Sequence, residues 1–325
     1  VWYSPKDSGY YSYDVIRNTK HQLTSNTDGI FYDEENDRPM HPRSYGIIGF
    51  SDDEMYVYIY DRFDIWKVDL SDNSKPQRLT KGRENQREYR VLDLDQEETP
   101  VDKEGYFLIK SFNEKDKSEG YHKLDLDSGS LTLLYSGPYQ LNRRPTKSRD
   151  SDILLTTKQS FDIFPDLILT NTSLTKRQTI SNANPQQNEY KWGDVQLYSW
   201  PTYDDKKGDG LLFFPEGFDK NKKYPLLVNF YERSSDGLHR HRAPYAHRST
   251  INFTYYLSKG FVIFNPDIYY RIGEPGQSCY DAVVSGVEAL IAEGYIDSDN
   301  IGVQGHSWGG YQIADMLTKT DLFKC

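Results

Sequence analysis

Ile301-Gly302-Val303-Gln304-Gly305-His306-Ser307-Trp308-Gly309-Gly310-Tyr311 runs from an apolar strand pattern, through a serine flanked by glycines, into a helical pattern carried by Ile313, Ala314 and Leu317. A G-x-S-x-G sequence between strand and helix has a specific physical use. The chain reverses sharply there, and the serine is held in a strained conformation with Oγ projecting from the carboxyl edge of a sheet. Gly305 and Gly309 remove Cβ atoms that would collide inside the turn. The helix that follows Ser307 offers free N–H groups to a developing oxyanion. This setting predicts a nucleophile at Ser307.

Upstream of this turn the pattern is that of an α/β sheet. Val195–Trp200 alternates as a strand, while Gly210–Pro215 and Pro225–Tyr231 are near-continuous apolar runs, as in strands buried on both faces. Phe253, Tyr256 and Leu257 share a helical face that stops at Gly260, and the strand Phe261–Asn265 follows. Val283, Val284, Val287, Leu290 and Ile291 recur at helical spacing, with Asp281 as the expected N-cap and Gly294 as the residue after the C-cap. Strand, helix, strand, helix, strand predicts a mostly parallel, doubly wound sheet over residues 190–325.

Residues 1–189 have a different texture, with short Tyr/Val/Ile/Leu runs between Asp/Asn/Ser/Gly/Lys clusters. One two-strand unit recurs: Tyr11–Ile16 with His21–Thr24, Asp64–Leu70 with Pro76–Thr80, Gly120–Leu126 with Ser130–Leu134, and Asp166–Leu169 with Arg177–Ile180. Steps of about 45 to 56 residues fit the blades of a β-propeller, of which about four are visible, the first beginning in mid-blade. An irregular β-sandwich of hairpins is the alternative on periodicity alone.

Composition narrows the function classes. The 325 residues include 27 tyrosines and 14 % aromatic residues, too much contact surface for a disordered polyelectrolyte. A net charge of −10 argues against nucleic acid as a partner. No apolar run approaches the roughly 20 residues of a membrane span. Cys279 and Cys325 lack metal-ligand spacing and are too few for a disulfide framework. The start, Val1-Trp2-Tyr3-Ser4-Pro5, has no signal-peptide pattern; a periplasmic or secreted location stays open if a signal peptide precedes it.

Gly305–Tyr311 (GHSWGGY), Tyr224–Tyr231 (YPLLVNFY), Gly294-Tyr295-Ile296-Asp297 and Asn300–Val303 together resemble the prolyl oligopeptidase family of serine peptidases, in its dipeptidyl-peptidase and acylaminoacyl-peptidase branches. The resemblance implies a β-propeller followed by an α/β-hydrolase domain, both partial in this chain, with peptides as substrates and no cofactor or metal. It implies Ser307 as nucleophile, the Trp308 backbone N–H as one oxyanion donor and the Tyr231 hydroxyl as the other. Glu232–Gly237 replaces the Gly-Gly-Pro-like segment that often follows this tyrosine, which leaves the shape of the substrate entrance open. A homo-oligomer is compatible with this reading.

Other candidates read as structural. His239, His241 and His247 lie in a basic stretch without acid or cysteine at ligand spacing, as expected of a solvated loop. Asp33-Glu34-Glu35 is similar to the paired glutamates that hold a substrate amino terminus in dipeptidyl peptidases, but its surroundings predict a solvated inter-strand loop. Asn171-Thr172-Ser173 and Asn252-Phe253-Thr254 spell glycosylation sequons. After Ser307 come Asp315 and Asp321 but no histidine, so the triad is expected to draw its Asp and His from beyond residue 325, and this segment alone is expected to be inactive. An esterase on the same fold, or a non-catalytic propeller-based binding protein, remains the alternative.

Overall fold

A computed structural model describes residues 1–71, 75–94 and 104–325. The chain divides into two compact units. The first comprises Val1–Asn36, Met40–Lys158 and Asp166–Ser181; the second comprises Asp37–Pro39, Gln159–Pro165 and Asn182–Cys325. Among the described residues no helix is long and apolar enough to cross a membrane.

The first unit is a succession of antiparallel sheets. β1 (Trp2–Ser4), β2 (Gly9–Asp14) and β3 (Thr19–Gln22) form the first. β4 (Ile47–Phe50), β5 (Tyr56–Tyr60), β6 (Ile65–Asp69) and β7 (Gln77–Arg78) form the second, in sequence order. The third holds β8 (Arg87–Val91), β9 (Tyr106–Asn113), β10 (Glu119–Asp125) and β11 (Leu131–Gly137), again in order. The fourth holds β12 (Gln140–Leu141), β13 (Thr146–Lys147), β14 (Leu154–Gln159), β15 (Asp166–Thr170) and β16 (Gln178–Thr179). The four repeated two-strand units are the pairs β2–β3, β6–β7, β10–β11 and β15–β16, each closing its sheet.

Side-chain alternation explains why these sheets stack. In β5, Val57 and Ile59 join Tyr10, Phe31 and Trp66 in one core, whereas Tyr58 joins Tyr89 and Phe107 in the next. In β9, Phe107 and Ile109 pack back on that core, and Leu108 packs forward with Tyr121 and Leu141. Each of these two central strands therefore feeds two cores, one shared with the sheet before and one with the sheet after. That is propeller-like packing.

The second unit centres on one five-stranded sheet. Its strands are β17 (Asp194–Pro201), β18 (Lys207–Phe214), β19 (Tyr224–Asn229), β20 (Val262–Pro266) and β21 (Ile296–Gln304), in the spatial order β17-β18-β20-β19-β21. Successive residues take opposite faces. Leu212, Leu226, Val228, Val262 and Phe264 pack with α2 (Pro275–Ala292) and α3 (Trp308–Met316); Leu211, Phe213 and Ile263 pack with α1 (Phe253–Ser258), Phe161 and Trp192.

Two expectations are corrected here. The parallel pattern holds only for β20–β19 and β19–β21; β17–β18 and β18–β20 are antiparallel. The second helix starts at Pro275, not after Asp281, because proline suits the first helical position, where no N–H bond is lost. Asp281 lies inside the helix and its carboxylate pairs with Arg271 at 2.7 Å. The helix ends as expected, with Gly294 at φ +92°.

Candidate active site

Three parallel strands end at one edge, and their last residues are tied together. Asn265 Nδ2 donates to the Asn229 carbonyl, and Asn229 Nδ2 donates to the Gln304 carbonyl at 3.2 Å. Gln304 Nε2 reaches Ser249 O at 3.0 Å. This polar ladder fixes the level from which two turns depart: Phe230–Tyr231 after β19, and Gly305–Ser307 after β21. The register pairs Asn229 with Gln304, so both turns leave from the same point on the edge.

Ser307 sits at the tip of the second turn at φ 53°, ψ −110°, exposed, as the residue that caps α3. A non-glycine residue there is strained, and such strain persists only where surrounding packing imposes it. That packing is visible at the glycines. A Cβ on Gly305 would lie 2.8 Å from the Gly309 carbonyl carbon, and one on Gly309 would lie 2.8 Å from Phe230 O. The start of α3 thus rides directly on the backbone that follows β19, which brings Tyr231 beside the Ser307–Trp308 turn. The Gly309 Cβ position is 3.9 Å from Tyr231 Cα.

Tyr231 is 48 % exposed, leaving its ring open to solvent at this edge. Its carbonyl accepts from Gln312 Nε2 at 3.1 Å and from the Tyr270 hydroxyl at 3.3 Å. Trp308 Nε1 donates to Tyr270 Oη at 2.9 Å, and the Trp308 ring stacks on Tyr311 at 5.0 Å. Burial raises the Tyr270 phenol above its usual pKa, so it remains a protonated donor at neutral pH. Among the described residues no imidazole or carboxylate hydrogen-bonds Ser307 Oγ. His306 is exposed beside it in sequence.

The segment after Tyr231 is anchored by Asp267. Its carboxylate accepts from Ser234 N at 2.5 Å, from Ser235 N at 3.0 Å and from Ser235 Oγ. Burial pushes this carboxyl upward, and the three donors oppose that shift. Arg233 reaches Asp37 at 3.2 Å, and Arg38 reaches Glu232 at 3.4 Å. Arg271 holds the turn after β20 through Asp204 and Asp281, each at 2.7 Å, and Glu274 at 3.0 Å. Tyr270, Gln312 and Asp267 were missed in the sequence. The one signal was that Asp267–Arg271 directly follows an apolar strand at the edge where sites form.

Two expectations for solvated loops are corrected in part: His247 and Glu35 are exposed, but His241 and the acidic pair find partners. His241 is buried, stacked on Trp192 at 5.2 Å and edge-on to Phe164 at 5.3 Å, with Nε2 2.8 Å from Gln187 Oε1. Burial lowers its pKa, so it is a packed neutral ring. In the first unit, Glu34 pairs with Arg83 at 2.8 Å and Glu35 with Arg62 at 2.7 Å, so the acidic run is ion-paired. Asn252 caps α1 by accepting from Tyr255 N at 3.1 Å, and Asn171 closes a local turn with Thr175.

Residues 252–325 match the prolyl oligopeptidase family. Venom dipeptidyl peptidase 4 of Vespa velutina is 31 % identical over 131 residues, covering 35 % of this chain and 16 % of that protein. Among solved structures, dipeptidyl peptidase 4 of Porphyromonas gingivalis superposes with a TM-score of 0.69 at 16 % identity, over 99 % of this chain and 45 % of that one. A putative dipeptidyl aminopeptidase IV of Bacteroides ovatus superposes with a TM-score of 0.64 at 18 % identity, over 99 % of this chain and 50 % of that one. The chain therefore spans at most half the length of these relatives and shares their fold over that span.

Proposed function

We propose that the protein is a serine peptidase of the prolyl oligopeptidase type that cleaves short or unfolded peptides through an acyl-enzyme on Ser307. In this reading residues 1–189 are propeller and residues 190–325 are the first part of an α/β-hydrolase catalytic domain. The order β17-β18-β20-β19-β21, with the nucleophile after the fifth strand, supports the second assignment. The observation that carries the reading is the conformation of Ser307, φ 53° and ψ −110° between a buried strand and a helix, with glycine-only contacts on both sides.

The chemistry follows from the arrangement. Ser307 Oγ attacks the scissile carbonyl carbon, and the electron pair moves onto the carbonyl oxygen. The Trp308 N–H, at the start of α3, and the Tyr231 hydroxyl donate to that oxyanion. Collapse expels the amine, and water then hydrolyses the ester. A general base must take the Ser307 proton and deliver it to the leaving amine. No described residue does so, and the reading draws that base and its acid from outside residues 1–325.

A fluorophosphonate probe tests it. Ser307 becomes labelled in the full-length protein, and Ser307→Ala abolishes labelling while leaving the thermal transition in place. A folded full-length protein that resists the probe defeats the reading. Turnover of peptide anilides in preference to simple esters separates a peptidase from an esterase.

A further inference from the structure

We infer that Gln312 and Tyr270 are positioning residues that lock the two oxyanion donors to each other, an inference that rests on the function proposed above. Tyr231 and Trp308 stand on different turns, 77 positions apart in sequence, and an oxyanion hole works only if both donors meet one oxygen. The link is made through a single acceptor, the Tyr231 carbonyl. Gln312 Nε2 donates to it at 3.1 Å and also lies 3.3 Å from the Trp308 carbonyl. Tyr270 donates to it at 3.3 Å while accepting the Trp308 indole N–H at 2.9 Å. The Trp308 residue is thus held twice, at its carbonyl and at its ring, by the two groups that hold Tyr231.

The choice of glutamine has its own signature. Gln312 is 0 % exposed on a helix face that elsewhere packs Met316, and among the described residues no group donates to its buried Oε1. A leucine or methionine would fill that volume without stranding an acceptor. What a hydrocarbon cannot supply is the pair of donors aimed at the two carbonyls. A buried amide that leaves one polar atom unsatisfied in order to place the other reads as a functional constraint.

Labelling by a fluorophosphonate, resolved into KI and the maximal rate kinact, tests the inference because phosphonylation also develops charge on an oxygen in the hole. Tyr270→Phe keeps the ring and removes both bonds; Gln312→Leu keeps the volume and removes both donors. Each variant lowers kinact about 10- to 100-fold, the effect of a sub-ångström to ångström displacement, with KI within about twofold. In a Tyr231→Phe background the same substitutions change kinact by less than about threefold, since the hydroxyl whose placement relative to the Trp308 N–H they fix is gone and one donor alone needs no alignment with a second. A purely structural role predicts equal losses in both backgrounds, and that result overturns the inference, as does a wild-type kinact in Tyr270→Phe. If Gln312→Leu fails to fold, the Tyr270→Phe pair of measurements decides alone. Wild-type protein that is never labelled defeats the proposed function itself; labelled wild type with unaffected variants defeats only the positioning role.

Discussion

Gly305 and Gly310, on either side of Ser307, are not equivalent, and alanine at each separates contact from composition. At Gly305 a Cβ would stand 2.8, 2.9 and 3.0 Å from the carbonyl carbon, oxygen and Cα of Gly309, all backbone atoms. Restoring an ordinary contact of 3.4 Å requires strand end and helix start to part by about 0.6 Å. No side chain can yield in their place, and Ser307 lies between the two residues that must separate. Overpacking of this kind costs about 1–3 kcal/mol. On the proposed function, a shift of that size at Ser307 lowers reactivity on the order of 10- to 100-fold. At Gly310 the nearest atom to a Cβ is Gly305 O at 3.8 Å, an ordinary contact, and φ is not in the left-handed region. Gly310→Ala therefore gains about 0.5–1 kcal/mol of helix propensity and leaves the turn alone. Thermal unfolding and fluorophosphonate labelling of both variants give the comparison. Gly305→Ala labelled at the wild-type rate, or Gly310→Ala as impaired as Gly305→Ala, would refute the account of the turn as a backbone contact.

Elsewhere the structure makes two further quantitative statements. His122 is buried, 2.8 Å from Ser111 Oγ and edge-on to Tyr89, and burial, with Arg87 nearby, lowers its pKa from 6.5 to about 4. As pH falls from 6.5 towards 4 the unfolded chain takes up a proton that the folded protein refuses, so stability is lost over that window, by about 3 kcal/mol at its lower end. His122→Gln flattens the decline in urea-unfolding stability between pH 7 and pH 4, and an unchanged slope contradicts the burial argument. In the second unit, a Cβ on Gly286 would stand 2.8 Å from Trp200 Cε2 and 2.9 Å from Phe264. Gly286→Ala consequently lowers the stability of the α2 face by about 1–3 kcal/mol, seen as a lower Tm, whereas equal stability would mean that the two rings repack freely.

What could be read from the sequence, and what could not, divides along the range of the interactions. The alternation that sends Val57 one way and Tyr58 the other is written in consecutive residues, and so is the glycine–serine–glycine turn, so the sheets and Ser307 were legible. The antiparallel run of β17 and β18 was not, since an apolar strand has the same composition in either direction. His241 read as solvent-exposed because its neighbours are basic; its burial depends on Trp192 and Phe164, which are remote in sequence. Glu34 and Glu35 likewise pair with Arg83 and Arg62, which stand 49 and 27 positions further along the sequence. The candidate site splits in the same way. The turn that holds Ser307 is announced by the local strain it bears, because only certain residues can stand on either side of it. The groups that aim its partners bear no local strain: Tyr270 and Gln312 occupy an ordinary loop and an ordinary helix position, 39 and 81 residues from the carbonyl they hold. Their role follows from where that carbonyl is, and only the folded chain puts it there.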